Sequence, residues 1–277
     1  MPELPEVEVT RRALEPMVDG QVLIGATVRQ PRLRYPVPDL TFDHEPVLRL
    51  VRRAKYLILE TAGGALVFHL GMSGTLRYLS ADQEAQRHDH VDLRLASGAL
   101  LRYRDPRRFG ALLRLIRPEG EIPGTAWWEH GAPFRHLGPE PFDPALTAAR
   151  WYRETRGKSR TVKSWLMDGL AVVGAGNIYA AESLFLAGID PRRAIGDVGL
   201  GRYQRLLSAL RQVLTQAIEA GGSTLRDFVD GHGVAGYFQQ QHQVYGRGGE
   251  PCPKCRTPLR QIRQGQRTTV YCPRCQR

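Results

Sequence analysis

All four cysteines of this chain lie close to its C-terminus, as Cys252, Cys255, Cys272 and Cys275. Their spacing, C-x2-C-x16-C-x2-C, is that of a tetrahedral zinc ribbon. Each C-x2-C pair predicts a tight turn, with Pro253 and Pro273 inside the two turns. Two such knuckles at the tips of short strands present four thiolates to one ion. Two disulfides are the competing use of the same residues, but a reducing compartment keeps thiols free. The segment is too short to bury a core, so a single structural Zn2+ would supply its folding free energy. Between the knuckles, Arg260 to Tyr271 predicts a β-hairpin that turns at Gly265 and carries Arg267 at or near its tip.

The remaining residues are too many and too apolar to be an appendage of that ribbon. A chain of 277 residues holds one large or two modest domains, each with its own core. The formal net charge of +11 selects acidic partners, nucleic acid first and an anionic membrane surface second. The basic residues are spread along the chain, with Arg29, Arg32, Arg34, Arg49, Arg52, Arg53 and Lys55 already crowding the first quarter. A solvated basic face explains any one cluster, but explains the global excess less well. No apolar run is long enough to span a bilayer and the N-terminus lacks a secretory pattern, so a cytoplasmic protein is expected.

Hydrophobic periodicity divides the chain in two. From about residue 20 to 117 the pattern is β. Val51 to Glu60 and Ala65 to Leu70 flank the turn signal Ala62-Gly63-Gly64. Val91 to Leu95 alternates, turns at Ser97-Gly98 and returns as Leu100 to Tyr103, and Phe109 to Leu115 offers another strand. Short antiparallel strands with glycine turns predict a β-sandwich. Residues 118–145, rich in Pro and Gly, predict a linker. Beyond them Tyr203, Leu206, Leu207, Leu210, Val213, Leu214, Ala217 and Ile218 recur at helical spacing until Gly221-Gly222. The expected class is α+β, with domains at 1–117, 146–236 and 237–277. There are no internal repeats.

The N-terminus suggests chemistry. Removal of Met1 would leave Pro2 as a free secondary amine beside Glu3. Such an amine can attack an electrophilic carbon and form an iminium directly, splitting one hard step into two. An α-amine titrates near ~7.7–8.0, so a useful neutral fraction exists. Glu3 is near enough to move protons at the same carbon. The structural alternative is that Pro2 and Pro5 open a helix, with Glu6 and Glu8 placed where its N-terminus favours negative charge.

Three further segments carry residues that packing alone does not require: His69-Leu70-Gly71-Met72-Ser73-Gly74, Asp105-Pro106-Arg107-Arg108-Phe109-Gly110 and Gly174-Ala175-Gly176-Asn177-Ile178-Tyr179. Met72 and Phe109 suit either a core or a wedge that fills an opened duplex. The third segment is either an ordinary helix start or a phosphate site at a helix N-terminus. His88 and His90 are a poor metal pair, because residues one apart on a β segment face opposite ways.

From Pro2-Glu3-Leu4-Pro5-Glu6-Val7-Glu8, through Arg53-Ala54-Lys55-Tyr56, the glycine and arginine loops above, His88-Asp89-His90 and Gly176-Asn177-Ile178-Tyr179-Ala180, to the cysteine quartet, these motifs resemble the formamidopyrimidine-DNA glycosylase/endonuclease VIII family. The likeness covers the whole chain. Leu4, with Arg107 and Phe109, resembles the oxidised-purine branch.

The resemblance implies an N-terminal catalytic β-sandwich, a helix-two-turn-helix element around Gly174–Arg193 and a zinc finger. It implies a bifunctional glycosylase and AP lyase, acting as a monomer on damaged double-stranded DNA near the bacterial nucleoid. Pro2 matches the nucleophile at C1′, Glu3 the proton shuttle, Lys55, on a β-strand, the lysine that assists β-elimination, and Arg267 the phosphate-binding arginine assigned to δ-elimination. Met72, Arg107 and Phe109 match residues that fill the gap left by the flipped nucleotide, and His88, Lys158 and Asn177 match backbone contacts. Without the resemblance, Lys55 reads as a strand-surface lysine of the basic run Arg52-Arg53. The segment Asp230-Gly231-His232-Gly233-Val234-Ala235-Gly236-Tyr237-Phe238 departs from the family's shorter Asp-Gly-Lys-Pro-Gly-Tyr, so no base contact is carried over from it. Two other readings stay open: an endonuclease VIII-like enzyme for oxidised pyrimidines, and a non-catalytic zinc-ribbon DNA binder, which would not need a free Pro2-Glu3 end.

Overall fold

Helix α1 (Leu4–Val18) starts at the fourth residue, after Glu3 as its N-cap, because Pro5 sits in its first turn, where a missing N–H costs nothing. Glu6 completes the start by accepting the backbone N–H of Glu3 at 2.8 Å. In this computed structural model, residues 2–80, 83–223 and 241–277 are described. The atypical segment 230–238 lies outside the described residues. The chain divides into two compact units, Met1–His136 with Ala220–Tyr237, and Leu137–Glu219 with Phe238–Arg277.

The first unit is built on eight antiparallel strands: β1 (Val22–Val28), β2 (Glu45–Arg53), β3 (Tyr56–Thr61), β4 (Gly64–His69), β5 (Thr75–Ser80), β6 (Asp89–Leu95), β7 (Ala99–Arg104) and β8 (Ala111–Ile116). Their order is β5-β7-β6-β1-β2-β3-β4-β8. The expected sandwich is thus two four-stranded halves of one sheet. The seam is short: β1 meets β2 only through Val22 opposite Pro46 and Leu23 opposite Glu45. Alternate residues of both halves enter one core, which joins Val7 and Leu14 of α1 to Leu50, Leu57, Phe68, Leu93, Leu101 and Tyr103. Phe68 and Tyr103, from different halves, have ring centroids 5.9 Å apart.

Three local expectations need correcting. Val51 to Glu60 is two strands, broken by a two-residue turn at Ala54-Lys55, so Lys55 is on a hairpin and not within a strand. Ala54 has a φ of 53°, which replaces the usual glycine and hides the turn from the sequence. Phe109 precedes β8, and His88 (φ 78°) lies in the turn before β6.

The second unit carries α2 (Ala148–Thr155), α3 (Val162–Leu166), α4 (Asn177–Ala187) and α5 (Leu200–Glu219), then the hairpin β9 (Arg260–Gln264) and β10 (Arg267–Tyr271). α4 ends on Gly188 in the left-handed conformation, and the second long helix begins only at Leu200, past Arg193. Trp151, Trp165 and Tyr203 form a triangle of edge-on rings 5.2–6.0 Å apart that joins α2, α3 and α5. The hairpin module packs on α4 through a small cluster in which Ala181 and Phe185 meet Val244, Leu259, Val270, Cys252 and Cys272. Buried Glu182 of α4 accepts three consecutive backbone N–H groups, of Gln243, Val244 and Tyr245, and so ties the module's lead-in to the helix.

Candidate active site

In the first unit, Pro2 and Glu3 are both buried at the start of α1. The helix is linked to the Lys55 turn by one arginine. Arg52 of β2 donates from Nε to Glu8 of α1 (3.1 Å) and from Nη1 to the carbonyl of Ala54 (2.9 Å). Burial pushes the Glu8 carboxyl up, but hydrogen bonds from Arg11 and Arg12 and the charge of Arg52 outweigh it and hold the pKa below the usual value. Glu8 therefore stays ionised and anchors the turn.

Met72, Arg107 and Phe109 stand on two loops that one buried carboxylate fastens together. Asp105 accepts from Ser73 Oγ (2.7 Å) and from the Gly110 N–H (2.8 Å), while Ser73 Oγ accepts from the Arg107 N–H (3.1 Å). The loops come so close that a Cβ on Gly71 would lie 2.4 Å from the Gly110 nitrogen, and one on Gly110 would strike the Tyr103 hydroxyl. On this rigid base Met72 is 37% exposed and Phe109 50% exposed. The Arg107 guanidinium lies over the Phe109 ring, 4.9 Å from its centroid. Exposure settles the open question of packing: neither apolar side chain is a core residue. Beside them a cavity of about 360 Å3 is bounded by Arg34, His69, Met72, Arg108 and Phe109. Burial, and then the charges of Lys55 and Arg34, lower the His69 pKa to about 4, so its ring is neutral at pH 7. His88 is likewise held below its ordinary value by desolvation and by Arg87 and Arg104. Positive φ at Ala54, His88 and Arg108 puts backbone strain within one residue of Lys55, His88, Arg107 and Phe109.

The second unit holds the other candidates. Lys158 is exposed in the loop after α2, Asn177 opens α4, and Arg267 is the first residue of β10, beside the Gly265-Gln266 turn. A residue the sequence did not single out organises them. Lys163 of α3 is only 2% exposed, and its Nζ donates to Asn177 Oδ1 (2.7 Å) and Thr269 Oγ1 (2.7 Å). Asn177 in turn donates to the Thr268 carbonyl (3.1 Å). The hairpin strand that carries Arg267 is thereby bolted to α3 and α4. Arg160, Lys163, Gln264 and Arg267 line a cavity of about 520 Å3 there. Only the partners of Lys163, far away in sequence, could have announced it.

The four cysteine sulfurs lie within 4.8 Å of one another. A tetrahedron of Zn–S bonds about 2.3 Å long has edges of about 3.8 Å. The separations Cys252–Cys275 (4.0 Å) and Cys255–Cys272 (3.5 Å) bracket that value. The donor set also calls for a cation. Hydrogen bonds from Thr257 lower the Cys255 pKa to about 6, while burial and the neighbouring sulfurs push Cys275 up to about 12. Four thiolates this close repel one another unless a metal ion neutralises them.

The whole chain matches known proteins. Residues 1–112 match the formamidopyrimidine-DNA glycosylase N-terminal domain, 137–229 its H2TH domain, and 249–277 a zinc finger found in Fpg and IleRS. Formamidopyrimidine-DNA glycosylases of Pseudomonas aeruginosa and Alkalilimnicola ehrlichii are 51% and 53% identical, each over 100% of both chains. The crystal structure of MutM (Fpg) from Thermus thermophilus superposes with a TM-score of 0.83 at 38% identity, covering 99% of this chain and 98% of that one. A mutant Lactococcus lactis Fpg in complex with Fapy-dG-containing DNA gives a TM-score of 0.87 at 31% identity, covering 99% of both. Sheet, helix-two-turn-helix domain and cysteine hairpin together define the class of zinc-finger DNA-repair glycosylases. Within it, this chain belongs to the formamidopyrimidine-DNA glycosylase family.

Proposed function

We propose which residues carry out the chemistry of this formamidopyrimidine-DNA glycosylase. The enzyme excises oxidised purines from DNA in base excision repair and is also an AP lyase. With Met1 removed, the Pro2 nitrogen attacks C1′ of the damaged nucleoside and the base leaves. The C1′–O4′ bond then breaks, Glu3 gives its proton to the sugar ring oxygen, and the opened sugar is left as an iminium on Pro2. Lys55 assists β-elimination from the hairpin that Arg52 ties to α1. Arg267 binds phosphate and serves δ-elimination, leaving a one-nucleotide gap with phosphate at both ends. Reaching C1′ requires the nucleotide to leave the stack. Met72, Arg107 and Phe109 offset that cost by filling the gap, while His88, Lys158 and Asn177 grip the backbone.

The observation that carries this reading is the fastening of two exposed apolar side chains and an arginine on one rigid base, in the unit that also carries Pro2 and Glu3. Cys252, Cys255, Cys272 and Cys275 hold one structural Zn2+, which keeps the Arg267 hairpin folded and takes no part in the reaction. The enzyme acts as a monomer on chromosomal DNA in the bacterial cytoplasm. Glu3→Gln tests the division of labour. Base release from an 8-oxoguanine duplex should fall by a factor of about 10²–10⁴, the usual worth of a positioned acid. Cleavage at a preformed abasic site should largely survive. Equal loss of both activities would remove Glu3 from base expulsion.

A further inference from the structure

The outer face of the β5–β7–β6 half has a charge that the glycosylase chemistry does not use. Arg77 of β5 lies directly opposite Arg102 of β7 in the antiparallel register, a like-charge pairing that destabilises a sheet unless something compensates it. Arg102 is compensated: its Nε and Nη2 donate to the two oxygens of Asp92, each at 2.8 Å. It also donates to the carbonyls of Glu84 (2.9 Å) and Gln83 (3.0 Å), folding that segment over the sheet. Asp92 is shared with Arg29 at 2.6 Å, and Asp89 is taken by Arg104 at 3.3 Å and by the Gln86 N–H at 2.8 Å. Arg77 is not compensated. Among the described residues it has no ion pair, and its Nε is buried without a hydrogen-bond acceptor. Among the described residues, Asp92 and Asp89 take Arg29, Arg102 and Arg104, and Arg77, on the same cavity wall as Arg102 and Arg104, is left with no carboxylate paired to it.

Arg77, Gln83, Glu84, Asp89, Arg102 and Arg104 enclose a cavity of about 300 Å3. We propose that this cavity is a phosphate-binding site, in which Arg77 and Arg104 donate to a tetrahedral oxyanion. Forked guanidinium donors suit phosphate oxygens, and a singly charged phosphodiester would neutralise Arg77 and satisfy its buried Nε. The site adjoins His88, whose carbonyl accepts the Asp105 N–H at 3.1 Å at the end of β7. A duplex gripped at His88 would therefore carry a flanking phosphate toward Arg77. That source of phosphate rests on the glycosylase reading above; a free phosphate ion does not.

Two measurements on wild type and Arg77→Gln separate the sources. The first compares Tm in inorganic phosphate and in chloride at equal ionic strength. The second compares salt titrations of binding to a long and a short duplex. A phosphate-dependent rise in Tm that Arg77→Gln abolishes supports the site. If the slope of log K against log salt for the long duplex is also shallower by about 0.9, one phosphodiester contact is lost and the ligand is DNA. The Tm effect without the slope change assigns the site to free phosphate, and the slope change alone assigns it to DNA. Arg77→Lys, which keeps the charge, should restore part of either effect. If wild type shows no phosphate-specific rise and its slopes equal those of Arg77→Gln, the cavity is a hydrated ion-pair network and the proposal is wrong. Borohydride trapping of DNA on the same variants reports the glycosylase reading independently, because Arg77 is no part of that chemistry.

Discussion

The loops of the first unit and the hairpin of the second both offer basic side chains, but they are held in place by different physics. Met72, Arg107 and Phe109 rest on Asp105 and on a core of more than twenty buried side chains drawn from both halves of the sheet. Arg267 rests on a hairpin whose cluster has seven buried members, two of them cysteines. The first platform folds by apolar burial and needs nothing bound. The second lacks the apolar area to do so; contacts to α3 and α4 through Lys163 and Glu182 hold it, and the zinc proposed for its four cysteines would supply the rest. The base under Met72, Arg107 and Phe109 is therefore a fixed feature of the fold, whereas on the reading proposed above the Arg267 hairpin is conditional on zinc.

The largest effect expected from this contrast follows loss of a ligand. Cys272→Ser, or chelation, should remove zinc, a contribution on the order of 10–16 kcal/mol in isolated fingers. It should melt residues 250–277 and lower DNA affinity and strand nicking, while the main thermal transition of the sheet stays in place. Hydrogen exchange resolved by peptide would read this. Arg267→Ala, by contrast, should keep its zinc, because Arg267 is not a ligand, and lose nicking efficiency and some DNA affinity. If Cys272→Ser melted the sheet as well, the two regions would not be independent and the comparison would fail.

A smaller effect sharpens the distinction between charge and wedge. Lys158→Ala should make the salt dependence of binding shallower by about 0.9 and weaken damaged and intact duplex alike. Phe109→Ala should leave the slope unchanged and weaken only the damaged duplex, because an exposed ring acts once the stack is open. Equal weakening of both duplexes by Phe109→Ala would make it a general contact.

The smallest expected effect is on pH. His69 in the first unit and His242 in the second are both lowered to about 4, chiefly by burial. Their unfolded forms titrate near 6.5, so between about 6.5 and 4 the unfolded chain binds more protons than the folded one. Stability is fully present above that window and falls as the pH drops through it. His69→Gln should flatten the acid limb of the sheet transition, and His242→Gln that of the second unit, as followed by thermal melts from pH 7 to 4. An unchanged acid limb in either variant would show that its histidine is not buried in the neutral form.

Much of this architecture is legible in the residues. The cysteine spacing encodes a local structure directly, and the recurrence from Tyr203 to Ile218 matches the buried face of α5. Gly265, at φ 58°, turns the hairpin just before Arg267 as its spacing implied. The parts that were not legible are of two kinds. Ala54 takes a conformation that glycine usually signals, so the residue pattern reads as one continuous strand across the break at Lys55. Lys163, Glu182 and Asp105 make polar contacts between segments far apart in sequence, and hydrophobic periodicity carries no information about these.

The most direct test of the central claim is the identity of the attacking nitrogen. Borohydride added during reaction with a duplex carrying 8-oxoguanine opposite cytosine should reduce the iminium and leave one covalent protein–DNA adduct. Intact mass should show that Met1 has been removed, and peptide mapping should place the adduct on Pro2. An adduct on the Lys55 peptide, with none on the N-terminal peptide, would contradict the account.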